Sequence, residues 1–168
     1  APDWSPNGAK IVFQSHRDGQ AEVYVMNANG SNPIRLTSHP GYDGGPVWSP
    51  DSSQIAFTSD RDGQKRVWLM RADGSNPTVL AYLTRSQNPA WSPDGSQIAL
   101  DCDENGDTWQ ELCLVKLDGT YQGEVYNPPN AQTDVRARSW SPDGRFVAFT
   151  EITYVYQAGQ WHWTNANL

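Results

Sequence analysis

The chain has 168 residues, and its 12 basic and 19 acidic side chains give a net charge of −7. Hydrophobic residues make up only 37%, and 14 Gly with 12 Pro make the chain rich in turns, yet eight Trp and seven Tyr are too many aromatics for a disordered polymer. The acidic balance argues against a nucleic-acid partner, and no apolar run reaches the ~18 residues of a membrane-crossing helix. Ala1 fits both the mature start of a processed protein and an internal piece of a longer one.

Self-similarity decides the architecture. Trp-Ser-Pro recurs at Trp4, Trp48, Trp91 and Trp140, so the repeats are spaced by 44, 43 and 49 residues. The first unit (about 3–46) carries Trp4-Ser-Pro-Asn-Gly, then Ile11 to Gln20, Val23 to Pro33 and Ile34 to Thr37. The second (about 47–89) repeats the order most clearly. Ser49-Pro-Asp-Ser opens a hairpin through a type I β-turn, and Ile55 to Thr58 follows as an inner strand. Asp60 to Gly63 turns the chain into a third strand, Val67 to Arg71. After the turn at Asp73-Gly74, Val79 to Leu83 is the expected outer strand. The third unit (about 90–138) and the fourth (about 139–168) keep Ser-Pro-Asp-Gly at 92–95 and 141–144. No stretch has capped helical periodicity. Repeated four-stranded antiparallel units of this length predict an all-β fold, a β-propeller of about four blades.

The phrases WSPDGSQIA, SDRDGQ, VWLMRADGSNP and LT resemble the repeats of TolB-like β-propellers across essentially the whole chain. The resemblance implies a bacterial, extracytoplasmic (periplasmic or secreted) protein. It leaves activity open, because such blades serve binding proteins, lyases and prolyl oligopeptidase-like hydrolases alike. Aligning Asn165-Ala-Asn with Asn27-Ala-Asn leaves the fourth blade without its outer strand, about fifteen strands in all. TolB-like rings usually have six or more blades, so three arrangements remain: part of a longer propeller, two copies forming an eight-bladed ring, or closure as a four-bladed ring. An exposed strand edge and blade face favour association in solution.

Chain direction places the Ser-Pro-Asp-Gly turns at one end of the blades and the blade-to-blade connections at the other. The connections vary in sequence, and variable loops on a rigid scaffold are where binding residues concentrate. His39, Tyr42, Asp43, Arg85, Asn88, Arg136 and Arg138 are therefore the candidates for contact with a protein or peptide partner. Trp161 and Trp163 share one face of a terminal strand and suit inter-blade or subunit packing better than sugar stacking. The four repeated tryptophans read as packing between blades.

Asp101, Asp103 and Asn105 before Gly106 match the opening of a calcium loop, but Leu112 stands at its twelfth position and Trp109 at its ninth. A plain hairpin turn explains the same residues, so no cofactor is expected unless calcium binds there. Cys102 and Cys113 lie on successive strands, and alignment to the second unit puts Ala99 near Leu112 and Cys102 opposite Trp109. That register leaves a disulfide open. Asn29-Gly-Ser31 fits a glycosylation sequon but is the repeat's own turn. No nucleophile elbow, metalloprotease His pair or phosphate loop is present, so the sequence predicts a non-enzymatic scaffold that associates with itself or with further blades. The propeller portion of a larger enzyme and a carbohydrate-binding propeller are the alternatives.

Overall fold

A computed structural model describes residues 2–103, 106, 110–128, 133–157 and 160–167, with side chains undescribed at 138, 154–157 and 160–167. The described residues form four antiparallel sheets and no helix. The first holds β1 (Asp3–Trp4), β2 (Lys10–Ser15), β3 (Glu22–Asn27) and β4 (Ile34–Arg35). The second holds β5 (Asp43–Trp48), β6 (Gln54–Ser59), β7 (Arg66–Arg71) and β8 (Thr78–Val79). The third holds β9 (Ser86–Trp91), β10 (Gln97–Cys102), β11 (Glu111–Lys116) and β12 (Tyr121–Tyr126). The fourth has β13 (Thr133–Trp140), β14 (Val147–Gln157) and β15 (Gln160–Asn167). Strand order follows chain order in every sheet, which makes each a blade and the fold an incomplete β-propeller. The inner strands β5, β9 and β13 each run across a boundary of the sequence repeat, because every repeat begins at the Trp that ends one of them.

The Ser-Pro-Asp-Gly motif folds as its chemistry dictates. Ser92 Oγ donates to Asp94 at 2.6 Å and accepts the Gln97 N–H at 3.1 Å, while Gly95 N–H closes the turn onto the Ser92 carbonyl at 2.9 Å. Ser49 with Asp51 and Ser141 with Asp143 repeat this arrangement, and Ser5 with Asn7 makes a neutral version. The fourth turn position is left-handed in every copy, including Ser52 at φ 61° where the others have Gly.

Apolar side chains from adjacent blades fill the space between them. Val12, Val23 and Val25 of the first blade pack with Trp48, Ile55, Phe57 and Met70 of the second. Ala56 and Val67 meet Ile98, Leu100 and Val115 across the next junction. Leu80, Ala81 and Leu83 join that second cluster, so the outer strand expected over Val79 to Leu83 pairs only at Thr78–Val79. Burial of the leucines draws the chain inward from the ladder. The four repeated tryptophans differ in setting. Trp48 is buried between blades, Trp91 and Trp140 are half-buried, and Trp4 is 56% exposed.

Cys102 and Cys113 form a disulfide with Cα atoms 6.0 Å apart. The expected register was wrong: Ala99 pairs with Leu114, Cys102 with Glu111 and Cys113 with Leu100. The two extra residues of this hairpin are absorbed between 103 and 110, so Cys102 and Glu111 occupy the same rung as Ser59 and Arg66 in the second blade. The cysteines are then diagonal neighbours on one face, within disulfide reach.

Candidate binding end at the blade connections

β2, β6, β10 and β14 lead away from the Ser-Pro-Asp-Gly turns, and the inner strands start at the opposite end. There, buried side chains hold the connections onto the blades. The Glu22 carboxylate is buried, pairs with Arg35, and accepts the Thr37 hydroxyl at 2.6 Å and the His39 N–H at 3.2 Å. Thr37 Oγ1 in turn accepts the Val23 N–H at 2.9 Å. The segment between β4 and β5 is thus fixed by one carboxylate at the start of β3. His39 is half-buried, and its Nδ1 accepts the Gly41 N–H at 3.1 Å.

Tyr42 donates its N–H to Asp60 at 2.7 Å and its hydroxyl to Gln14 at 3.0 Å, with the Lys65 ammonium 5.4 Å from its ring centre. Burial first, and then the Asp60 charge, push the Tyr42 hydroxyl above its ordinary value. Asp43 is fully buried and meets the Arg61 guanidinium at 2.9 Å. Arg61 also lies over the Phe57 and Trp68 rings and donates Nε–H to Ser59 at 2.9 Å, which locks the turn of the second blade to its own inner strand.

One position near the end of the second strand of each blade reaches into the next blade. Gln14 Oε1 accepts the Gly45 N–H at 3.3 Å, Thr58 Oγ1 the Asn88 N–H at 3.2 Å, and Asp101 Oδ1 the Ala137 N–H at 2.6 Å. The receiving residues sit at bulges of the inner strands, and Gly45 and Asn88 are left-handed there, at φ 58° and 52°. The Asn88 side chain donates to the second Asp101 oxygen at 2.5 Å. Asp101 is thus occupied within the fold, Asp103 accepts the Gly106 N–H at 2.8 Å, and Asn105 lies outside the described residues.

Of the other candidates, Arg85 is exposed and Arg136 half-buried, whereas the side chain of Arg138 lies outside the described residues, as do those of Trp161 and Trp163. β15 stands at the margin of its sheet, paired with β14 through Tyr154–Trp163 and Tyr156–Trp161. The sequence reading missed Tyr82. It is 81% exposed on the connection before Arg85, and the Arg66 guanidinium stacks 5.4 Å from its ring centre. The sequence places Tyr82 within the outer strand expected over Val79 to Leu83, and only the inward turn of Leu80, Ala81 and Leu83 shows which side chain is left outside.

The TolB beta propeller domain model matches residues 1–151. The chain belongs to the TolB β-propeller family. Among solved structures it resembles putative TolB from Agrobacterium tumefaciens, with 26% identity and a TM-score of 0.71 over 88% of this chain and 56% of that one. TolB from Acinetobacter baumannii gives 22% and 0.69 over 91% and 40% of the two chains. An oligogalacturonate lyase from Vibrio parahaemolyticus gives 12% and 0.60 over 98% and 64%, a likeness of fold alone. This TolB-type chain therefore spans about half the length of its first two solved relatives.

Proposed function

We propose that this TolB-type chain is a non-enzymatic scaffold that binds a protein or peptide partner at its connection end. The observation that carries the reading is exposed Tyr82 and Arg85 on a connection anchored by buried Leu80, Ala81 and Leu83, beside a neighbouring connection held by the buried carboxylates of Glu22 and Asp43. Aromatic and Arg side chains on a rigid support dominate interface energetics, because little ordering entropy is lost on contact. His39, Tyr42, Asn88, Arg136 and Arg138 complete the proposed surface. The Cys102–Cys113 disulfide supports an oxidising, extracytoplasmic compartment. The marginal place of β15 supports association with further blades or a second copy.

The test begins with partner capture from the native source, followed by calorimetry with the purified partner. Tyr82→Ala and Arg85→Ala should each weaken binding, while Asp94→Asn at the opposite end should leave it unchanged. Equal effects at both ends would overturn the placement. The lyase likeness keeps an enzymatic parent as the competing reading, and turnover of an oligogalacturonate by the chain would favour it.

A further inference from the structure

The opposite end of the molecule holds a cavity of about 360 Å³ into which all four blades contribute. Its walls include Trp4, Trp48, Trp91 and Trp140 together with four prolines, and among the described residues that line it the one ionisable side chain is Asp3. Sequence repetition explains the convergence: each Trp ends or follows an inner strand, so blade symmetry brings all four around one axis. Packing uses them unequally: Trp48 is buried in the cluster between the first two blades, and Trp91 and Trp140 are half-buried against the next two clusters. Trp140 donates its indole N–H to the Ala90 carbonyl at 3.0 Å, yet Trp4 remains 56% exposed at the rim.

The chemistry of these walls selects a ligand class. Indole faces carry negative quadrupole potential and attract cations, most strongly where water is displaced. Asp3 adds a formal negative charge, held in place by the Trp48 N–H at 2.7 Å from its carboxylate. Burial raises the Asp3 carboxyl above its ordinary value, against the pull of the Trp48 and Trp4 N–H groups, so a cation here would relieve a charge that the site disfavours. A hard metal ion needs about six oxygen ligands and a primary ammonium three acceptors, whereas among the lining side chains only Asp3 and Ser139 carry oxygen, and one Asp3 oxygen already takes the Trp48 backbone N–H. A quaternary ammonium needs no acceptor at all.

We propose that this tryptophan–proline cup is a binding site for quaternary ammonium groups of the choline type, with the indoles surrounding the methylated nitrogen and Asp3 supplying the counter-charge. The cavity volume falls at the small end of ordinary ligand sites.

Titration with choline, followed through the indole N–H resonances and by calorimetry, tests the site directly. Its neutral carbon analogue, 3,3-dimethylbutan-1-ol, serves as the control of equal shape. Choline should shift the cup indoles and bind about tenfold more tightly than the alcohol, the size of a partly desolvated cation–π contribution. Asp3→Asn keeps an oxygen for the Trp48 N–H and removes only the charge, so it should weaken choline binding several-fold without changing the affinity for the alcohol. Trp4→Ala removes an exposed indole and gives a second variant should the first unfold; it too should weaken choline binding. Equal affinity for choline and the alcohol, no response to choline, or a proline-rich peptide bound in place of choline would each overturn the proposal. None of these results bears on the partner surface at the other end.

Discussion

The fully buried carboxylate of Asp101 accepts the backbone N–H of Ala137 at 2.6 Å, joining the third blade to the inner strand of the fourth. Its other oxygen takes the Asn88 amide. Asp101→Ala strips the partner from the buried Ala137 N–H and from the half-buried Asn88 amide, and a buried polar group left unsatisfied costs about 1–3 kcal/mol. The variant should therefore lose about 2–5 kcal/mol, read from the urea midpoint. Because both oxygens are committed inside the fold, added calcium should not move the midpoint of the parent chain. A calcium-dependent rise that Asp101→Ala abolishes would instead make this residue a ligand.

The Cys102–Cys113 bridge closes a hairpin of sequence separation 11. Loop-closure entropy for a loop of this length corresponds to about 2–3 kcal/mol of stability. Reduction, or the Cys102→Ser and Cys113→Ser pair, should lower the urea midpoint accordingly while leaving the first two blades in place. Protection of β2 and β6 amides in hydrogen exchange separates this from global collapse.

The blades were legible because their information is local. Ser92, Asp94 and Gly95 complete a turn within four residues, and the four copies confirm one another. The ties between blades were not legible, since Gln14, Thr58 and Asp101 fill one structural position with three side-chain types and share only an acceptor oxygen. Hairpin register failed at Cys102 for a different reason. A two-residue slip keeps every side chain on its face, so hydrophobic pattern cannot distinguish the two ladders. At the candidate binding end the sequence indicated which loops to inspect, but the exposure of Tyr82 follows from how its three apolar neighbours pack.

Two glycines of similar backbone conformation should respond unequally to alanine. Gly119 has φ 85°, and a Cβ there would lie 2.8 Å from the Leu80 carbonyl oxygen of the preceding blade. Gly74 stands in the same relation to Leu36, at 2.9 Å. Gly30 has φ 82° but open space around it. Gly30→Ala should cost about 1–2 kcal/mol for the left-handed backbone, and Gly119→Ala that amount plus the displacement of a neighbouring blade. Conversely, Ser52→Gly relieves the strain at φ 61° and should stabilise the chain by up to about 1 kcal/mol, less the weak bond from the Asn7 N–H at 3.3 Å. Urea midpoints in the order Ser52→Gly, parent, Gly30→Ala, Gly119→Ala check the argument; equal losses at positions 30 and 119 would refute the blade contact.

Acid should loosen the Ser-Pro-Asp-Gly end, which neutral conditions leave intact. Asp51, Asp94 and Asp143 are held below the ordinary carboxylate range, first by the hydroxyls of Ser49, Ser92 and Ser141 and then by backbone N–H groups. Asp73 and Asp118 are lowered in the same way by Ser75 and Thr120. The folded state thus prefers these groups ionised more strongly than the unfolded chain does. Their contribution is complete above the unfolded value of about 3.9 and is lost as pH falls through the lower folded values. All five are solvent-exposed, so each contribution is small and the combined slope is the measurable quantity. The urea midpoint should stay level from neutrality to about pH 5 and decline below about pH 4. Asp94→Asn with Asp143→Asn should flatten part of that decline. An unchanged slope in the double variant would mean that other carboxylates govern the acid limb.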